Sequence, residues 1–155
     1  MSEVSPVVVK VARIAGAEDV PLPSKQTELA AGFDVHAAVV SDVTIAPGEI
    51  VLIPCGFAMA LPPGFEAQIR PRSGLSSKYG IGMPNSPGTI DADYRGELKL
   101  PLINWGKLPF VVTRGMRIGQ MVVMPIPPVV LQQVSSAAEL GETARGHGGF
   151  GSTGH

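Results

Sequence analysis

The stretch GTIDADYRG, residues 88–96, packs two carboxylates and a phenol between two glycines. Asp91 is the first candidate for chemistry, because a carboxylate near a stiff turn is held in place. The turn is Asn85-Ser86-Pro87-Gly88, where Pro87 suits the second position of a β-turn and Gly88 the third, which needs a positive φ. A second segment, Pro71-Arg72-Ser73-Gly74-Leu75-Ser76-Ser77-Lys78-Tyr79-Gly80, combines one arginine with three serines. Ser73 is suited to cap a short helix starting near Gly74, and a helix start beside an arginine makes a phosphate cradle. An ordinary Ser-Gly connection between strands explains the same residues equally well.

In Ala31-Gly32-Phe33-Asp34-Val35-His36-Ala37-Ala38, strand alternation puts Phe33 and Val35 on one face and Asp34 and His36 on the other. Asp34 then faces a cleft or is an acid on the wet face of an edge strand; the segment alone favours the second. His36 reads as a surface or packing histidine, since no second His, Cys or acid stands at metal-ligand spacing. Gln120 interrupts the apolar run of residues 116–124, and a buried amide must bond backbone or point at a ligand. The last segment, residues 145–155, is nearly all glycine and hydroxyl apart from Arg145, Phe150 and two histidines. It is either a mobile terminus or a segment that orders over a ligand, with Phe150 stacking on a flat ring and Arg145 meeting an anion.

These groups must be positioned by strands. The chain has 155 residues, 45% of them hydrophobic, which is one domain's worth of core-forming sequence. Its 19 glycines and 15 prolines punctuate short Val- and Ile-rich runs, the pattern of an all-β sandwich or jelly roll with at most a short helix. A first strand is expected over residues 7–14 and a last one over 129–134. Hairpins are expected for 43–45 with 50–53 across Ala46-Pro47-Gly48-Glu49, and for 57–61 with 65–70 across Pro62-Pro63-Gly64. Residues 97–104 read as the strand leaving the Asp91 turn. The division expected is a catalytic β domain over 1–134 and a flexible Gly-rich tail over 135–155.

A net charge of −1 and the lack of a basic cluster interleaved with aromatics disfavour nucleic acid as a partner. One cysteine, Cys55, excludes an internal disulfide and reads as a small buried hydrophobe. No basic leader or membrane-length apolar run is present, so a cytoplasmic protein with no membrane partner is expected.

Taken in order, the segments around Asp34, Arg72, Asp91, Gln120 and Arg145 resemble the five motifs of the homotrimeric deoxyuridine triphosphate nucleotidohydrolases (dUTPases), with PRSG, GTIDADYRG and RGHGGFGSTG nearly letter-perfect. The resemblance spans residues 31–154. It implies a jelly-roll β-barrel that assembles as a homotrimer, with each site built at subunit contacts and closed by a neighbour's tail. It implies that Asp91 is the general base for in-line attack of water on the α-phosphorus of dUTP. The products are dUMP and pyrophosphate, so dUTP is lowered and dUMP supplied for thymidylate synthesis. Mg²⁺ is held by phosphates and waters, not directly by protein, and Asp34 serves either a metal-bound water or Arg72. Tyr94 packs under the deoxyribose and excludes a 2′-hydroxyl. The 81–91 loop, including Asn85, Gly88, Thr89 and Ile90, reads uracil. Ser73, Gly74 and Gln120 hold phosphates, Arg145 with Gly151 and Ser152 clamps the γ-phosphate, and Phe150 stacks on the base. The one departure is Gly119, where the family more often has alanine.

Two other readings share the fold. A dCTP deaminase needs an acid–base glutamate at the pyrimidine's C4, which the motifs here do not match, and a catalytically inert nucleotide-binding trimer would not need Asp91, Tyr94 and a complete tail.

Overall fold

Short runs of β-formers, separated by proline and glycine, become ten strands in the computed structural model, which describes residues 5–149. In chain order they are β1 (Lys10–Arg13), β2 (Phe33–His36), β3 (Val43–Ile45), β4 (Ile50–Ala60), β5 (Phe65–Arg70), β6 (Ile81–Gly82), β7 (Gly88–Ile90), β8 (Glu97–Asn104), β9 (Phe110–Val112) and β10 (Arg117–Pro125). One α-helix, α1 (Ser73–Tyr79), and a 3-10 turn at Ala137–Leu140 are the helical elements among the described residues. The strands form two four-stranded sheets, β1-β4-β8-β6 and β2-β10-β5-β7, and a two-stranded ribbon, β3-β9. Every pairing is antiparallel, and the sheets do not close into a continuous barrel. This is the jelly-roll-type all-β fold the strand spacing predicts.

One core is shared by all three sheets. Val35, Ala67, Ile69 and Met121 come from one, Ile53, Phe57, Leu98 and Leu100 from the second, and Ile45 and Val112 from the ribbon. Cys55 is buried among them, and burial pushes its thiol pKa up, which keeps it an inert hydrophobe. A bulge in β4 between Pro54 and Ala58 places Gly56 at φ 75°, where a Cβ would collide with the side chains of Ala17 and Ala38. Glu97 accepts the Gly56 N–H at 3.0 Å, so the bulge is satisfied.

Several local expectations are corrected. The turns at Ala46-Pro47-Gly48-Glu49 and Pro62-Pro63-Gly64 exist, with Gly48 and Gly64 at positive φ, but neither closes a hairpin. β3 pairs with β9, β4 with β1 and β8, and β5 with β10 and β7, so each turn carries the chain from one sheet to another. The arms of the 81–91 loop likewise belong to different sheets, β6 with β8 and β7 with β5. Its turn contains a cis Ser86–Pro87 bond, and Gly88 is a strand residue rather than a positive-φ turn glycine. The first strand is shorter than expected. Residues 129–134 form no strand, and among the described residues no sheet edge pairs with them; Val130 and Leu131 are almost fully exposed.

Candidate functional site

Register brings the first cluster together. In the β2-β10-β5 sheet, Gln120 lies opposite Asp34 on one side and Arg70 on the other, which aligns these three residues across the sheet. A bulge between Arg117 and Gly119 keeps Ile118 in the core and re-aims Arg117. β5 then runs through Pro71 into α1. Its N-cap is Arg72, with extended backbone and no capping side chain, so Ser73 is the first helical residue and not the predicted cap.

The result is a polar recess of about 210 Å³ lined by Gln26, Asp34, Arg72, Ser73, Gly74, Arg117 and Gln120. Asp34, only 14% exposed, sits between two guanidiniums, with Arg117 Nη1 at 3.2 Å and Arg72 Nε at 3.9 Å. It is therefore not an acid on a wet face. Arg72 also donates to the Arg117 carbonyl at 3.2 Å, and Gln120 Nε2 donates to the Pro71 carbonyl at 3.0 Å, pinning the start of α1. Two arginines against one carboxylate leave a positive excess at an uncapped helix start, which suits an anion. His36 packs beside this recess, buried with Nδ1 unpartnered. Burial lowers its pKa and Arg117 and Arg72 add to that, while the nearby Asp34 works the other way.

The second cluster lies elsewhere in the chain. Leu52, Thr89, Ile90, Asp91, Tyr94, Leu98 and Lys99 line a cleft of about 320 Å³. The Tyr94 N–H donates to the Asp91 carbonyl at 3.2 Å, closing the turn that carries both side chains. The Tyr94 ring folds back over Gly96, a position only glycine leaves open, and its hydroxyl donates to the Glu97 carbonyl at 3.0 Å. In the loop before it, the Asn85 amide lies over the Gly88 backbone.

Strand register separates the clusters. Ile90 pairs with Ala67, so Asp91 reaches the level of Glu66. Arg70 is four residues further along β5, roughly 13 Å at about 3.3 Å per residue, and Arg72 and Ser73 lie beyond it. Arg145 joins neither cluster; its Nε donates to the Gly148 carbonyl at 2.8 Å. Phe150, Gly151 and Ser152 lie outside the described residues. Gln26 and Lys99 line the two recesses without having been singled out as site residues, whereas Arg117, one of the local arginines suited to a small anion, is turned onto Asp34 beside the bulge.

Among the described residues, no three His, Cys, Asp or Glu side chains converge to hold a metal. No described helix is long and apolar enough to cross a membrane.

A jelly-roll-type protein with a cationic, hydroxyl-bearing recess and a separate carboxylate–phenol cleft belongs to the class that handles phosphorylated small molecules. The chain is a member of the dUTPase family, whose model matches residues 18–154. It is 53% identical over 148 residues to the deoxyuridine 5′-triphosphate nucleotidohydrolase of Caldanaerobacter subterraneus subsp. tengcongensis, covering 96% of this chain and 98% of that one. The enzyme of the same name from Rhizobium etli is 50% identical over 152 residues, covering 97% and 96%. Among solved structures, the Staphylococcus bacteriophage 80alpha dUTPase with dUPNHPP is similar at a TM-score of 0.83 and 25% identity, covering 96% of this chain and 99% of that one. The dUTPase of the S. aureus phage phi11, described with a structural Mg(II) ion, shares the fold at a TM-score of 0.74 and 24% identity, covering 84% and 98%.

Proposed function

We propose that this protein hydrolyses dUTP to dUMP and pyrophosphate at sites completed between subunits of a homotrimer. The observation that carries the shared site is the spacing along β5. A base that activates a water must lie within one water of the phosphorus it serves, about 3 Å to each partner. Asp91 stands much too far from Arg72 and Ser73 of its own chain to share one phosphate with them. A neighbouring chain supplies the missing half.

In this reading Arg72, Ser73, Gly74 and Gln120 bind the triphosphate. Asp34 holds Arg72 and Arg117 in place; its two guanidinium partners favour that role over service to a metal-bound water. The loop from β6 to β7 presents backbone donors and acceptors to uracil, with Asn85 beside them. Cytosine's amino group then meets a donor, and thymine's methyl group has no room. Tyr94, fixed by Gly96 and the Glu97 carbonyl, packs beneath the deoxyribose. Asp91 orients the water and takes its proton as oxygen bonds to the α-phosphorus and pyrophosphate leaves. Its value lies in placing the water in line with the α-phosphorus. The donor set suits a hard cation that arrives with phosphates and water rather than one caged by protein. Mg²⁺ bound in that way would polarise the phosphate oxygens. Arg145, Gly151 and Ser152 clamp the γ-phosphate and Phe150 covers the base when a neighbour's tail closes, which expels water. We place this chemistry in the cytoplasm.

The test is pyrophosphate release from dUTP, dCTP, dTTP and UTP with Mg²⁺, beside an ammonia assay. Turnover of dUTP alone is expected. Ammonia from dCTP, or tight dUTP binding without turnover, would contradict it.

A further inference from the structure

Trp105, the only tryptophan of the chain, belongs to none of the segments assigned above. It follows β8 directly, and its indole lies against Gly82, the second residue of β6. A Cβ on Gly82 would stand 2.9 Å from ring atom Cε3 and closer still to Cζ3, so only glycine admits the ring here. The turn that carries the indole is held by its own hydrogen bonds. The Trp105 N–H donates to the Gly80 carbonyl at 2.9 Å. Asn104, fully buried, donates to the Ile45 and Leu108 carbonyls at 2.9 and 2.8 Å and accepts the Gly106 N–H at 2.8 Å.

β6 needs such an anchor. It is an edge strand of two residues, paired among the described residues with β8 alone. Alternation drives Ile81 and Met83 into the core, 1% and 3% exposed, and leaves Gly82 with no side chain to hold its opposite face. Beyond Met83, Pro84, Asn85, Ser86 and Pro87 are all exposed until Gly88 re-enters the fold. The loop is thus fixed at its entry by two core side chains on one face and by the indole on the other.

We infer that Trp105 is a positioning residue for base selection, clamping Gly82 so that the backbone groups of the 83–90 loop keep the spacing that accepts uracil. The inference rests on the reading of this loop as the base-recognition element. It assigns Trp105 to binding and selectivity, not to the chemical step.

The experiment compares wild type, Trp105→Phe and Trp105→Ala in initial rates on dUTP and dCTP, with molecular mass in solution measured alongside. Trp105→Ala is expected to raise KM for dUTP about tenfold, keep kcat within about twofold, and narrow the dUTP-over-dCTP ratio of kcat/KM by about tenfold. Trp105→Phe, which keeps a flat ring, should restore most of both. Unchanged KM and selectivity in Trp105→Ala, a fall in kcat alone, or a loss of assembly would each overturn the inference. If Trp105→Ala does not fold, the Trp105 emission of the wild type decides, titrated with a non-hydrolysable dUTP analogue. Saturable change supports the clamp, and unchanged emission at saturation overturns it. A wild type inert on dUTP removes the proposed function and this inference together, whereas an active wild type with an indifferent Trp105→Ala removes only the inference.

Discussion

Mixing two inactive variants tests the shared site quantitatively. Asp91→Asn removes the proposed base from the 320 Å³ cleft, and Arg72→Ala removes a guanidinium from the 210 Å³ recess. Each alone should lose nearly all turnover, with Asp91→Asn retaining nucleotide binding. β5 separates the two residues by more than the roughly 13 Å between the levels of Glu66 and Arg70, so the proposed shared site would draw them from different chains. In randomly reassembled trimers a site works only when its recess comes from an Asp91→Asn chain and its cleft from an Arg72→Ala chain. Two choices at one half each predict recovery of about a quarter of wild-type turnover per site. The assay is pyrophosphate release after the two proteins are unfolded together at equal concentration and refolded, with each variant refolded alone as the control. Activity that stays at the level of the separate variants, while native mass spectrometry shows mixed trimers, would refute the argument.

Three other outcomes follow from particular contacts. Deleting the chain from Arg145 onward should abolish most dUTP turnover while mass in solution stays that of a trimer; a fully active truncation would make the tail an inert terminus. Gly119→Ala should lower the thermal midpoint, because the new Cβ falls 2.5 Å from Leu100 Cδ2 in a fully buried position, an overpacking that costs about 1–3 kcal/mol; adding Leu100→Val should recover part of it, and a raised midpoint for Gly119→Ala would show that the core has room. Arg114 grips Asp19 through two donors, at 2.5 and 2.9 Å, and pulls its pKa from 3.8 down to about 2. A depressed folded pKa gives stability that is present above 3.8 and lost as pH falls through about 2, so Asp19→Asn should flatten the acid limb of the midpoint–pH curve in that window; an unchanged limb counts against the pair.

The sequence exposed the chemistry more fully than the topology. Asp34, Arg72, Ser73, Gly74 and Gln120 come from three distant segments, yet they line one recess, because each stands at or beside a strand or helix end that local pattern identifies. The pairing of strands was not legible in the same way. The glycines and prolines at 46–49 and 62–64 signal that the chain turns, but a turn signal is silent about whether the next strand joins the same sheet. Residues 129–134 have the composition of a strand, yet among the described residues no sheet edge pairs with them, which local sequence does not encode. Gly119 departs from the motif's usual alanine, and the fold accounts for it: the Leu100 side chain occupies the space the methyl group would need. Arg117 was legible as an arginine suited to a small anion, but its contact with Asp34 depends on a β-bulge that local pattern does not signal.

The most direct measurement of the central claim is hydrolysis of dUTP in ¹⁸O-labelled water, with both products analysed by mass spectrometry. Attack on the α-phosphorus by a water that Asp91 positions puts the label in dUMP and leaves pyrophosphate unlabelled. Label in pyrophosphate, or release of inorganic phosphate in place of pyrophosphate, would contradict the account.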